Sequence, residues 1–155
     1  MLAEYLDRYW MTFELKCEGL TAEQLATRSV PPSTMSLLGM IRHLDRVEHS
    51  WTRRVFEGQF ELPRLYRTQE DPDLDFNQAV ADDQVVARTW DTWRGEVAHA
   101  RAVYADLDLD APVVHGQEVE TRDIVVHPVE EYVGHVGHVG HVDLLRECLD
   151  GRTGQ

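Results

Sequence analysis

The sequence predicts an all-α chain folded as a four-helix bundle with long crossover loops. Apolar residues recur every three or four positions along three long stretches, which is the period of amphipathic helices. A fourth stretch, dense in histidine, ends in another apolar face, and strand signals are almost absent. Helices that each bury one stripe do so by packing around a shared core. With 155 residues the chain is the size of a single domain, 1–155, long enough to bury that core without staples.

Residues 2–18 carry Leu2, Tyr5, Leu6, Tyr9, Trp10, Phe13 and Cys17 at helical spacing, and Gly19 ends the helix. Thr21 with Gln24 forms a capping box, the threonine accepting from the amide three residues on and Gln24 reaching back, so a short helical turn should run to about Thr27. Pro31 and Pro32 then impose extended backbone, and Ser33, Thr34 and Ser36 offer caps for the next helix. The second long helix is expected over Leu37–Phe56, with Leu37, Met40, Ile41, Leu44, Val47, Trp51 and Val55 as its stripe and Gly58 as its terminator. His43 sits on the edge of that stripe, at the boundary between neighbouring helices.

Residues 58–77, rich in proline and charge and without a period, read as a surface loop. Val86, Trp90, Trp93, Val97, Ala100, Tyr104 and Leu107 then alternate at spacings of four and three, a seam packed nearly parallel to its neighbours. Its tryptophans belong to the core, while His99 falls off the seam and should be solvated. Residues 108–120 read as an extended crossover in which His115 has no local partner. The last helix starts at Thr121, with a kink at Pro128, or begins at Pro128 itself. Leu144, Leu145, Cys148 and Leu149 complete its apolar face, and Gly151 closes it.

Composition excludes several functions. The 28 acidic residues outnumber the 15 basic ones, for a formal charge of −13. Such a chain repels phosphate backbones and anionic headgroups, so neither nucleic acid nor a membrane surface is an expected partner. No apolar run reaches the roughly 18 residues of a membrane span, and no secretory leader pattern is present. Two cysteines, Cys17 and Cys148, read as packing residues of a reduced, cytoplasmic protein.

The last stretch carries the chemistry. Four of the eight histidines lie between His127 and His141. At about 100° per residue, with Glu131 at zero, His135 lies near +40° and His138 near −20°, while His141 falls near −80°. Glu131, His135 and His138 therefore share one narrow face, a carboxylate and two imidazoles able to grip zinc, nickel or iron. His43, from another helix, is the natural completion. The alternative is a Val-Gly-His triplet duplication without chemistry. Against it, Gly134, Gly137 and Gly140 each cost a helix about 1 kcal/mol relative to alanine, a loss that metal binding offsets by adding its free energy to folding.

The run from Lys16 to Ser33, the segment Ser36-Leu-Leu-Gly-Met-Ile-Arg-His-Leu-Asp-Arg-Val-Glu48 with Trp51, the motif His127-x-x-Glu-Glu-Tyr132, and Gly-His-Val-Asp-Leu-Leu-Arg-Glu147 with Asp150-Gly151 together resemble the DinB/YfiT-like superfamily, and an actinobacterial branch of it, over nearly the whole chain. The resemblance implies a four-helix bundle holding one divalent metal between a histidine of the second long helix and a His-x-x-x-His or Glu-x-x-x-His pair of the last. His43, Glu131 and His135 match those positions. It also implies use of a small thiol such as mycothiol, bacillithiol or glutathione, and a homodimer. Maleylpyruvate isomerisation, known in the superfamily, is not expected here, because that isomerase carries a further C-terminal domain. The branch has two histidines three apart where this chain has three. Counting from Glu131 selects His135 with His138, and counting back from Asp143 selects His138 with His141. The first register keeps a carboxylate on the ligand face where the second has Gly134.

The expected function is therefore metal-dependent transfer or isomerisation of a small electrophile by a small thiol. A metal hydrolase with Glu130 or Glu131 as base is the enzymatic alternative, and a bundle with a structural metal the non-catalytic one. An open coordination position favours catalysis, whereas four protein ligands favour structure.

Overall fold

The computed structural model describes residues 2–114, 118–133 and 138–153. Among these, α1 (Leu2–Cys17), α2 (Ala22–Ala26), α3 (Leu37–Glu48) with a π-helical continuation (His49–Phe56), α4 (Leu74–Asn77), α5 (Asp83–Tyr104), α6 (Thr121–Val133) and α7 (His138–Asp150) succeed one another in order. Between α5 and α6, β1 (Pro112–Val114) and β2 (Glu118–Glu120) pair antiparallel, Val113 opposite Val119. No helix among the described residues is long and apolar enough to cross a membrane.

The all-α bundle forms as expected. α1 packs on α5, α6 and α7, while α3 packs on α5, α6 and α7 from the other side, so α6 and α7 in succession fill the fourth place of the bundle. The core joins Leu6, Trp10 and Phe13 of α1 to Leu37, Ile41 and Leu44 of α3, Trp93 and Val97 of α5, Tyr132 of α6 and Leu145 of α7. Phe13 meets Trp93 edge-on at 5.7 Å and Tyr132 at 6.3 Å. Such pairs add about 0.5–1.5 kcal/mol each to what burial of their area contributes.

Local signals place the helix starts. Thr21 Oγ1 accepts from the Gln24 amide at 3.2 Å while Gln24 Oε1 accepts from the Thr21 amide at 3.0 Å, the capping box in full. Ser36 Oγ accepts from the Gly39 amide at 3.1 Å and starts α3. Gly58, with φ +72°, ends the π-helical continuation in the left-handed region that glycine adopts at little cost.

Several expectations change. Pro31–Pro32 is a cis bond inside a turn closed by the Ser33 amide on Val30 O at 2.9 Å, not an extended run. Tyr5, Leu144 and Cys148 are exposed rather than packed, and on α7 the inward face is Val142, Leu145 and Arg146. Arg146 is buried because its Nη1 satisfies the last carbonyls around α1, those of Lys16 and Glu18, at 3.1 and 2.9 Å. The second long helix spans the expected residues, but its last turns bond i to i+5, as in Glu57 N–H to Thr52 O at 3.0 Å. That wider turn rotates the register, so His49 and Thr52 face inward and Trp51 and Val55 are only half-buried. The crossover 108–120 contains the small hairpin, and its His115 lies outside the described residues. α6 begins at Thr121, whose hydroxyl donates to Ala111 O at 2.7 Å, and it continues through Pro128.

The segment 58–77 is not a plain surface loop. Tyr66, at φ 48°, donates its hydroxyl to Asp45 Oδ2 at 2.9 Å, and the Arg42 guanidinium lies 4.3 Å over its ring. Farther along, α4 carries a fully buried carboxylate, Asp75.

Candidate metal centre

The capped start of α3 sets the phase in which Leu37, Ile41 and Leu44 face the core and His43 faces the seam with α6. From α6, Glu131 comes to the same seam, and its Oε2 stands 3.5 Å from His43 Nε2. Both side chains are nearly buried. Two ligand atoms each about 2.0–2.1 Å from a tetrahedral zinc lie about 3.3–3.4 Å apart, so this spacing fits a shared cation better than a strong hydrogen bond.

The other faces of the two groups are held. Asp75 Oδ2 is 3.0 Å from His43 Nδ1 and accepts from Arg46 Nη2 at 3.1 Å, while Asp75 Oδ1 accepts from the Phe76 amide at 3.1 Å. The Phe76 ring stacks on the imidazole at 5.7 Å. Arg46 Nη2 also lies 2.9 Å from His43 Nδ1. Burial pulls the His43 imidazolium down, but the hydrogen bonds to Asp75 and Glu131 outweigh it, and its pKa stands above the ordinary histidine value. The same two carboxylates that favour a proton there would favour a metal cation, which would bind by displacing it. Nitrogen and carboxylate oxygen together suit zinc, nickel or iron.

On the outer side, His127 Nε2 is 3.0 Å from Glu131 Oε1, and its ring lies on Trp51 at 3.9 Å between centroids. Trp51 is placed there on the π-helical turn. Glu131 thus reaches His43 through one oxygen and His127 through the other.

Of the residues expected from the sequence, His43 and Glu131 come together. Glu130 is exposed, one position from Glu131 along α6. His135 lies outside the described residues; His138 begins α7, but its side chain is outside the described set. His141 is described and partly buried, and its Nδ1 is buried with no hydrogen-bond partner among the described residues. Among the described residues, no three His, Cys, Asp or Glu side chains are grouped to hold a metal, so two donors, His43 and Glu131, are what this part of the molecule supplies.

Asp75, Arg46 and His127 were not singled out from the sequence as site residues. His127 had a signal, its place four residues before Glu131 on one helical face. Asp75 had a weaker one, an acid between Leu74 and Phe76 in an otherwise polar segment. The remaining histidines have other roles. His99 is not solvated as expected but sits 3.0 Å from Glu57 Oε2, and burial lowers the pKa of His49. Cys17 is buried, which pushes its thiol up to about 12 and makes it a packing residue as expected. A groove of about 510 Å³ between α1, α2 and α5, lined by Met11, Leu15, Leu25, Val86 and Trp90, touches none of these site residues. Size alone therefore does not locate the chemistry.

Comparison with known proteins agrees with this architecture. A model of the mycothiol S-transferase family matches residues 1–151. A conserved protein from Enterococcus faecalis, known by its crystal structure, has the same fold, with a TM-score of 0.66 and 18% identity over 97% of this chain and 96% of that one. No curated protein matches the chain.

Proposed function

We propose that this chain, which belongs to the mycothiol S-transferase family of the DinB/YfiT-like superfamily, is a metal-dependent transferase that joins a small thiol, mycothiol foremost, to a small electrophile. The observation that carries this reading is the approach of His43 Nε2 to Glu131 Oε2 at 3.5 Å inside a family named for thiol transfer. The proposed ligands are His43, Glu131 and His135 in the superfamily's three-residue pattern, with His138 as the further candidate and zinc as the first candidate metal. A cytoplasmic homodimer belongs to the same reading.

A divalent cation there would supply the positive charge that turns a thiol of pKa about 8.5, only a few per cent ionised at pH 7, into thiolate. The chain's own residues do the rest. His43 and Glu131 fix the position, and His127, stacked on Trp51, holds the outer oxygen of Glu131. Exposed Glu130 is the proposed acceptor of the thiol proton on the solvent side. With sulfur held beside the electrophile, the S–C bond would form as a halide leaves or as an epoxide oxygen takes back the proton that the thiol gave up; proximity would be the larger gain, because a sulfur bound to a cation is a weaker nucleophile than a free thiolate.

The test is conjugation of mycothiol, bacillithiol or glutathione to a haloarene or an epoxide by metal-loaded protein, beside metal-free protein and a His43→Ala variant. Conjugation only in the loaded parent supports the reading. If no thiol binds and four protein side chains saturate the metal, the site is structural. Glu130→Gln should lower turnover most near neutral pH while leaving zinc affinity unchanged.

Register is tested separately. His135→Ala should lose tight zinc binding and His141→Ala should keep it, since His141 points about 60° from His138 around the helix. Loss at His141 with retention at His135 would move the ligand pair to His138 and His141.

A further inference from the structure

We propose that α4 is a positioning element for the metal site: Asp75, seated by Phe76 against the bare backbone of Gly39, turns His43 so that Nδ1–H meets the carboxylate and Nε2 faces Glu131. This rests on the metal reading above and assigns the work of holding the site to a segment between the bundle helices.

Four residues of helix cannot hold themselves in place, since nucleating a turn is unfavourable. α4 is held from outside. Arg42 Nη2 donates to Leu74 O at 3.0 Å, Arg46 Nη1 to Pro72 O at 3.3 Å, and Arg28 Nη2 to Phe76 O at 3.5 Å. Gly39 and His43, four residues apart, lie on one face of α3, and Phe76 meets both. A Cβ at position 39 would stand 2.6 Å from Phe76 Cδ1 and 3.2 Å from Phe76 Cα, so only glycine admits α4 this close.

The result is a fully buried carboxylate with both oxygens bonded, one to its own turn and one to His43 and Arg46. A histidine that ligates through Nε2 must carry its hydrogen on Nδ1, and a carboxylate that accepts it fixes the tautomer, orients the ring and raises ligand basicity. With that hydrogen on Nδ1, the neighbouring Arg46 cannot donate into the ring, and it serves as the second donor to Asp75.

The experiment titrates metal-free parent, Asp75→Ala, Asp75→Asn and Gly39→Ala with zinc against a chromophoric chelator. Thermal unfolding of the metal-free proteins is measured alongside, with the nitrogen-15 shifts of His43 at a pH where the ring is neutral. Asp75→Ala should weaken zinc binding roughly 10–100-fold and move the neutral ring away from the Nδ1–H tautomer. A merely structural residue would not alter that tautomer. Asp75→Asn, which keeps an acceptor without the charge, should lose less, and it decides the matter if the alanine variant does not fold. Gly39→Ala should weaken zinc binding with Asp75 intact. Unchanged affinity and tautomer in the Asp75 variants, beside a parent that binds zinc and a His43→Ala variant that does not, would remove α4 from the site and leave the metal reading standing. A parent that takes up no zinc would sink both.

Discussion

His43→Ala is expected to abolish tight zinc binding, a loss larger than the roughly 10–100-fold caused by removal of an outer partner. The imidazole is the donor that α3 brings to 3.5 Å from Glu131, and among the described residues no three His, Cys, Asp or Glu side chains are arranged to hold a metal. Removing the ring takes away the donor from α3 and leaves Glu131 of α6 as the proposed ligand whose side chain is among the described residues. Two buried carboxylates, Asp75 and Glu131, would then face each other across a vacated space, so the variant should also be less stable than a His99→Ala control of similar size change. Competition with a chelator measures the affinity, and circular dichroism checks that the bundle persists. Retained stoichiometric, tight binding in a folded His43→Ala protein would mean that α3 supplies no ligand.

The second large effect concerns acid inside the bundle. Glu48 is fully buried, with Trp10 Nε1 donating to its Oε1 at 2.7 Å. Burial pushes its pKa up to about 7; the hydrogen bonds from Trp10 and Tyr132 oppose this, and the charges of Glu96 and Asp45 reinforce it. Because the folded value exceeds the unfolded 4.5, the native state binds the extra proton between those values. Stability contributed by Glu48 is full below about pH 4.5, falls as pH rises and is lost above about 7, a change on the order of 3 kcal/mol. Glu48→Gln, which imitates the neutral acid and keeps the acceptor for Trp10, should flatten the profile across that window and raise stability at pH 8. Denaturant unfolding of both proteins at pH 5, 6, 7 and 8 provides the measurement. Parallel profiles would show that Glu48 does not titrate there.

Features that depend on neighbours within one turn of helix were legible in the chain alone. The 3.6-residue period marked α1, α3 and α5, the Thr21–Gln24 pair and Ser36 marked two starts, and Gly58 marked a stop. His43 was legible as a candidate because it stood on the edge of a stripe, yet its approach to Glu131 joins α3 to α6 and depends on packing. The rest lay out of reach for the same reason. Asp75 meets His43 across 32 residues and Glu48 meets Trp10 across 38, and no periodicity specifies which loop residue lands on which helix. The π-helical turn that swings Trp51 beside His127 leaves the apolar pattern unchanged, and only the widened backbone shows it. These points were settled by packing in three dimensions, because a buried carboxylate or imidazole is fixed by the partner that satisfies it, and the partner arrives only when distant segments close around a common core.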